Sequence, residues 1–167
     1  MYSKNEAVIY AYRGVCIIED ITWKEFGGAK KQYYVLRPVY EKKSCIFVPV
    51  DNETLSSKMF PLVTPDEISR FMQCLPTLPP MWDESADIRK NRYREIMDEK
   101  NRLQILNMIR CIYMHQENLA KKGKKLYASD EHALKSAESL LYDEFAYVLN
   151  MDREQVLPYI RKGLHLV

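Results

Sequence analysis

Three histidines, His115, His132 and His165, are the chain's whole supply of imidazole. None falls in an HExxH or comparable ligand spacing, so no metal site is expected. Carboxylates pair at Glu19-Asp20, Asp66-Glu67 and Asp130-Glu131. These are the residue types of general acid-base chemistry, but the first pair ends a strand pattern and the other two open helix patterns, where turn and capping roles account for them. Phosphate loops of the GxGxxG or GxxxxGK[ST] kind are missing from the sequence, as is a GxSxG nucleophile elbow. The expectation is a non-enzymatic protein with no cofactor.

Binding chemistry is better represented. Arg89, Lys90, Arg92 and Arg94 crowd one stretch, and Lys121, Lys122, Lys124 and Lys125 form the run KKGKK. Trp82 stands just ahead of the first cluster, after the break PTLPP. Arg and Lys position a protein on phosphates without reading sequence. Charged surface helices carry similar runs for solubility alone, and the net charge of +2 excludes a uniformly basic, histone-like binder. Any nucleic-acid site must therefore be local.

The elements that carry these residues change period midway. AVIYAY, GVCIIEDI, KQYYVLRPVY and CIFVPV are short, rich in Val, Ile, Tyr and Phe, and separated by turn signals. Gly14 and the pair Gly27-Gly28 mark tight turns. About five strands in roughly 60 residues predict a small closed barrel of SH3-like or Tudor-like size. ITWKEF reads as a further strand, with Trp23 covering one barrel face.

From Thr64 onward the spacing is helical. Thr64, Pro65 and Glu67 make a capping box with proline at the first helical position. Apolar stripes follow at Leu103, Leu106, Ile109 and Tyr113, at Ala133, Ala137, Leu140, Leu141, Phe145 and Val148, and at Val156, Leu157 and Ile160. Asn150 ends one helix and Asp152 with Gln155 caps the next. The fold class is thus α+β in two domains, a barrel over residues 1–62 and an all-α bundle over 65–167.

The four cysteines, Cys16, Cys45, Cys74 and Cys111, form no CxxC pair. Three lie in apolar surroundings that predict core packing as free thiols in a reducing cytoplasm. The N-terminus MYSKNEAVIY lacks a basic region followed by a long apolar one, and no run approaches the ~18 apolar residues of a membrane span. Neither export nor insertion is expected.

The order VIYAYRGVCIIEDI, YYVLRPV, FVPVD, MFPLVTPDEI, a tryptophan, RYREIM, KKGKKL and AESLLYDEFAYVLNM resembles the CarD/CdnL family of bacterial transcription regulators along nearly the whole chain. The N-terminal part is also similar to the RNA-polymerase-interacting module of transcription-repair coupling factors. The resemblance implies a barrel that binds the β subunit of RNA polymerase and a helical domain that contacts promoter DNA at the upstream edge of the transcription bubble, stabilising the open complex. It implies polymerase contacts at Lys24, Glu25, Phe26 and Phe47, the first three on an exposed strand open to strand addition. It also implies a tryptophan wedge at Trp82, flanked by phosphate contacts at Arg89, Arg92, Arg94, Lys121, Lys122, Lys124 and Lys125. In many members the tryptophan lies closer to the RY pair, whereas here DESADIRKN separates Trp82 from Arg92-Tyr93. A monomer is expected, with strand exchange into a dimer left open.

Two other functions stay open. A protein-interaction adaptor would dock on polymerase or another partner without a continuous basic face, and a methyl-lysine reader would need Tyr10, Tyr12, Tyr33 and Tyr34 to converge on one rim.

Overall fold

The computed structural model describes residues 1–41 and 43–163; His165 and the end of the expected helical domain lie outside the described residues. Strands β1 (Ala7–Tyr10), β2 (Val15–Phe26), β3 (Ala29–Pro38), β4 (Ile46–Pro49) and β5 (Met59–Pro61) form one antiparallel sheet in the order β4-β3-β2-β1-β5. GVCIIEDI and TWKEF turn out to be one twelve-residue strand, paired with β3 from Cys16 opposite Pro38 to Phe26 opposite Ala29. The hairpin turns at Gly27-Gly28 with φ of 62° and 83°. Two successive positive φ values suit the right-handed strand twist and are resisted by residues with a Cβ. A bulge between Ile18 and Asp20 lets Ile18 and Ile21, three residues apart, face the same side.

The expected closed barrel is instead an open sheet. Strands β4 and β5 are its two ends, and no pairing joins them among the described residues. At four and three residues they are too short to meet around a core that the long β2–β3 hairpin dominates. Val8, Cys16, Ile18, Tyr34, Leu36, Val48 and Met59 form that core, with Leu55 from the one-turn helix α1 (Glu53–Ser56) and Tyr2 packed against it. The Tyr2 hydroxyl donates to the Met59 carbonyl at 3.0 Å, and its ring meets Tyr34 edge-on at 6.1 Å.

Helices α2 (Pro65–Cys74), α3 (Ala86–Glu99), α4 (Arg102–Ala120), α5 (Ala128–Leu149) and α6 (Arg153–Gly163) follow. Helix α2 opens on the Thr64 capping box: the Thr64 hydroxyl accepts from the Glu67 amide at 3.2 Å and Glu67 accepts from the Thr64 amide at 2.7 Å. Helix α5 ends on Asn150 in the left-handed region, and α3 ends the same way on Lys100. The bundle core joins Ala137, Leu141 and Phe145 of α5 to Leu106, Ile109 and Ile112 of α4. None of the helices among the described residues is long and apolar enough to cross a membrane. Cys16 and Cys111 are buried and Cys45 and Cys74 exposed, so two thiols rather than three pack inside, and all four are free.

Sheet and bundle meet through a buried ion pair. Glu144 of α5 is fully buried and receives Arg102 of α4 at 3.0 Å from both Nε and Nη2. The same carboxylate accepts from the Val63 amide at 2.9 Å, and Arg102 Nη2 reaches the Pro61 carbonyl at 3.3 Å. Lys100 and Arg102 lie over the Phe60 ring at 4.4 and 4.8 Å, and the Tyr40 hydroxyl donates to the Asp143 carbonyl at 3.2 Å. Carboxylate, guanidinium and the chain leaving β5 thus satisfy one another around the buried Glu144.

Candidate docking surface and nucleic-acid interface

Alternation along β2 sorts the expected polymerase contacts onto two faces. Lys24 and Phe26 share a face with Tyr33 of β3 and Phe47 of β4, because residues paired across an antiparallel ladder point the same way. Lys24 Nζ lies 4.0 Å from the Phe47 ring centroid, and Phe26 meets Phe47 at 6.0 Å and Tyr33 at 5.2 Å, each edge-on. Phe26 remains 52% exposed. Glu25 points to the opposite side, where it is paired in register with Lys30 and where Trp23, 60% exposed, also stands. The end of the hairpin therefore carries aromatic rings on both sides, set among the exposed charges of Lys24, Glu25, Lys30 and Lys31. Next to it, β4 is an edge strand bonded only to β3 among the described residues. Tyr33 and Tyr34 are successive residues on opposite faces, so the structure does not bring the proposed aromatic cage together.

In the bundle, the two basic clusters part company. Arg89 is buried, and its guanidinium makes a two-pronged bond to Asp130 of α5, at 2.9 Å from Nε and 2.7 Å from Nη2. Its Nη1 donates to the carbonyls of Asp83 and Glu84 at 2.8 and 3.1 Å. Tyr93, one turn on, gives its hydroxyl to the same Asp130 at 3.0 Å, and burial together with that anion pushes the phenol well above its ordinary range. Arg89 is thus a correction to the expected phosphate contacts: its charge is spent on Asp130 inside the protein. The remaining α3 cations also divide. At 3.6 residues per turn Lys90 and Arg94 share one flank, while Arg92 lies about 200° away and pairs with Glu95 at 3.6 Å.

Trp82 is half-buried against the bundle core. Its ring stacks on His115 at 3.7 Å with an interplanar angle of 22°, and the Arg89 guanidinium carbon lies 4.3 Å from its centroid. Two groups that close cannot occupy one face, so both faces of the indole are covered, and its Nε1 is buried without a partner. The stretch before it is pinned along one side of α4. Arg110 donates to the Leu75 and Leu78 carbonyls at 2.8 Å each, Asn107 donates to the Pro79 carbonyl at 3.1 Å, and the Met81 amide points at Cys111 Sγ at 3.2 Å. The proline-rich break is a strap, and Trp82 is its end anchor.

Lys121, Lys122, Lys124 and Lys125 occupy the α4–α5 turn, all exposed, with Gly123 at φ +68°. Among the described residues, not one of the four has a carboxylate within ion-pair distance, whereas Lys4, Arg13, Lys31, Arg37, Arg92 and Lys135 do. The Arg89–Asp130 pair binds the first turns of α3 and α5 together, so this lysine turn stands at the same end of the bundle as Trp82. Tyr127, 66% exposed, stands two residues after Lys125.

Sequence reasoning passed over Tyr127, Arg102 and Glu144, and gave Asp130 a turn or capping role where it instead holds Arg89. A signal existed for two buried charges: Arg89 lies in line with Tyr93 and Ile96 on the inner side of α3, and Glu144 interrupts the Ala137, Leu141, Val148 row of α5. A charge inside an apolar row needs a buried partner.

Residues 2–61 match the family model described as the CarD-like/TRCF RID domain, a protein-interaction domain that is not catalytic and that serves as an RNA-polymerase-interacting module. No curated protein matches the chain.

Proposed function

We propose that this chain, whose residues 2–61 match the model of the CarD-like/TRCF RID domain, is a cytoplasmic, monomeric transcription regulator that docks on the β subunit of RNA polymerase through its sheet. In that position it holds its helical bundle against promoter DNA at the upstream edge of the bubble and stabilises the open complex. The observation that carries the docking is the exposed cluster of Lys24, Phe26 and Phe47 beside the unpaired edge of β4, within the matched segment. Main-chain pairing along such an edge supplies affinity, and the side chains beside it supply choice of partner. On the bundle, the unpaired lysines 121, 122, 124 and 125 favour a phosphate contact, joined by Lys90 and Arg94. The wedge role expected of Trp82 would require it to leave both His115 and Arg89, so this reading rests on the lysine turn instead.

Capture of the full chain by the β subunit, with wild type beside Lys24→Glu, tests the docking. The substitution replaces the cation over Phe47 with a carboxylate, and binding should fall about tenfold or more, the scale of a lost interface anchor. Equal capture of both would remove Lys24 from the interface.

The adaptor is the second reading, favoured by the burial of Arg89 and by the split of Arg92 from Lys90 and Arg94, which together break up a continuous basic face on α3. An adaptor would bind polymerase and leave DNA alone at every salt concentration.

A further inference from the structure

We propose that Tyr127 is the aromatic residue with which the lysine turn engages unpaired bases of a nucleic acid, the lysines holding the flanking phosphates. This rests on the reading of that turn as a nucleic-acid contact and names what it recognises beyond charge.

Tyr127 contrasts with Trp82 in every respect that matters for stacking. It is 66% exposed, while both faces of the indole are covered. Its backbone is fixed: the Tyr127 carbonyl accepts from the amides of Asp130 and Glu131 at 3.1 and 3.0 Å in the first turn of α5. Beneath it, the Arg89 guanidinium carbon lies 5.6 Å from the ring centroid, and Arg89 is itself held by Asp130. The ring is thus a presented surface on a rigid mount. Of the acids in the first turn of α5, Asp130 is compensated by Arg89 and Glu131 by Lys135 at 3.0 Å, while Asp83 and Glu84, whose carbonyls also hold Arg89, are exposed. The four lysines just ahead of Tyr127 outnumber those two carboxylates, and a polyanion complements the excess.

A phosphate-binding turn treats duplex and single strand alike apart from charge density, whereas an exposed ring adds affinity only where a base face is free. A duplex hides base faces and a bubble offers them. The partner chemistry is therefore DNA with unpaired bases, as at the fork of an opened promoter.

The test compares the full chain on a labelled duplex and on the same duplex with a central unpaired segment, by fluorescence anisotropy at low salt. Wild type should prefer the bubble about tenfold, the scale of one stacked base. Y127A should lose that preference while keeping its duplex affinity, and Y127W should restore it. K122E combined with K125E should weaken both substrates in parallel. If Y127A keeps the bubble preference, the tyrosine assignment is overturned and the lysine reading stands. If wild type binds neither DNA, or binds polyglutamate as tightly, both fall.

Discussion

Two basic clusters of similar size in one bundle differ by one member, which the α3 cluster buries while its other three stay exposed. On α3, Arg89 turns inward to Asp130 and organises the junction of two helices, the strap and Trp82. In the α4–α5 turn, four lysines face solvent with no carboxylate at ion-pair distance among the described residues. Composition makes the two look equivalent. What separates them is a partner 41 residues away, together with the chemistry of the cation. A planar guanidinium with five donors can satisfy a carboxylate and two carbonyls at once inside a protein, while an ammonium on a flexible stem keeps its hydration. A buried cation serves the fold; an unpaired exposed one is available to a partner.

Removing one member of the buried pair should have the largest effect. Asp130→Ala leaves Arg89 charged and enclosed, at a cost of about 3–5 kcal/mol, and thermal unfolding should move down by about 10 °C. A shift of a degree or two would mean that Arg89 escapes to water, and the contrast with the lysine turn would dissolve. Trp82→Ala comes next, with about 2–3 kcal/mol lost as the strap loses its anchor. Unchanged stability alongside weakened open-complex formation would return the wedge role to this residue.

Alkaline pH sharpens the inside of the comparison. Burial raises the Cys16 thiol from 9.0 to about 11, and burial with the Glu138 contact raises the Tyr113 phenol from 10.0 to about 12. The unfolded chain gives up both protons first. Stability is therefore intact below pH 9 and falls as pH rises through the folded values. Urea midpoints across this range should decline in wild type, and Cys16→Ala should remove the early part of the decline. A curve identical in that variant would show that Cys16 titrates freely.

The smallest effect on stability belongs to the outside. Lys122→Glu with Lys125→Glu should leave the unfolding free energy within about 0.5 kcal/mol. The slope of log affinity for DNA against log salt should fall by about two, one for each lost phosphate contact. A large loss of stability would reveal hidden structural roles for the turn.

What the sequence made legible was local. The Thr64 box, the Gly27-Gly28 turn and the Asn150 terminus are each written within four residues, and each forms as expected. The twelve-residue continuity of β2 was hidden because the bulge at Glu19 shifts its alternation midway. Closure of the sheet depends on whether β4 and β5 are long enough to meet, a property of the assembled sheet that no local pattern carries. The site was legible in part. Lys24, Phe26 and Phe47 come together across β2 and β4 while Glu25 points to the other face, whereas the fate of Arg89 and Trp82 was decided by Asp130 and His115, distant in the chain.

The Arg102–Glu144 bridge bears on how a modest DNA contact could matter at all. Were the sheet joined to the bundle by a loose tether, docking on polymerase would let the lysine turn wander through a large volume, and its local concentration at the DNA would be in the millimolar range of short flexible linkers. A joint fastened to Val63 and Pro61 by directional bonds confines that search to few orientations. The second contact then forms with little further loss of freedom if the orientation is right, and is forbidden if it is wrong. Such a protein can bind free DNA only weakly and still respond strongly to one geometry of polymerase and promoter.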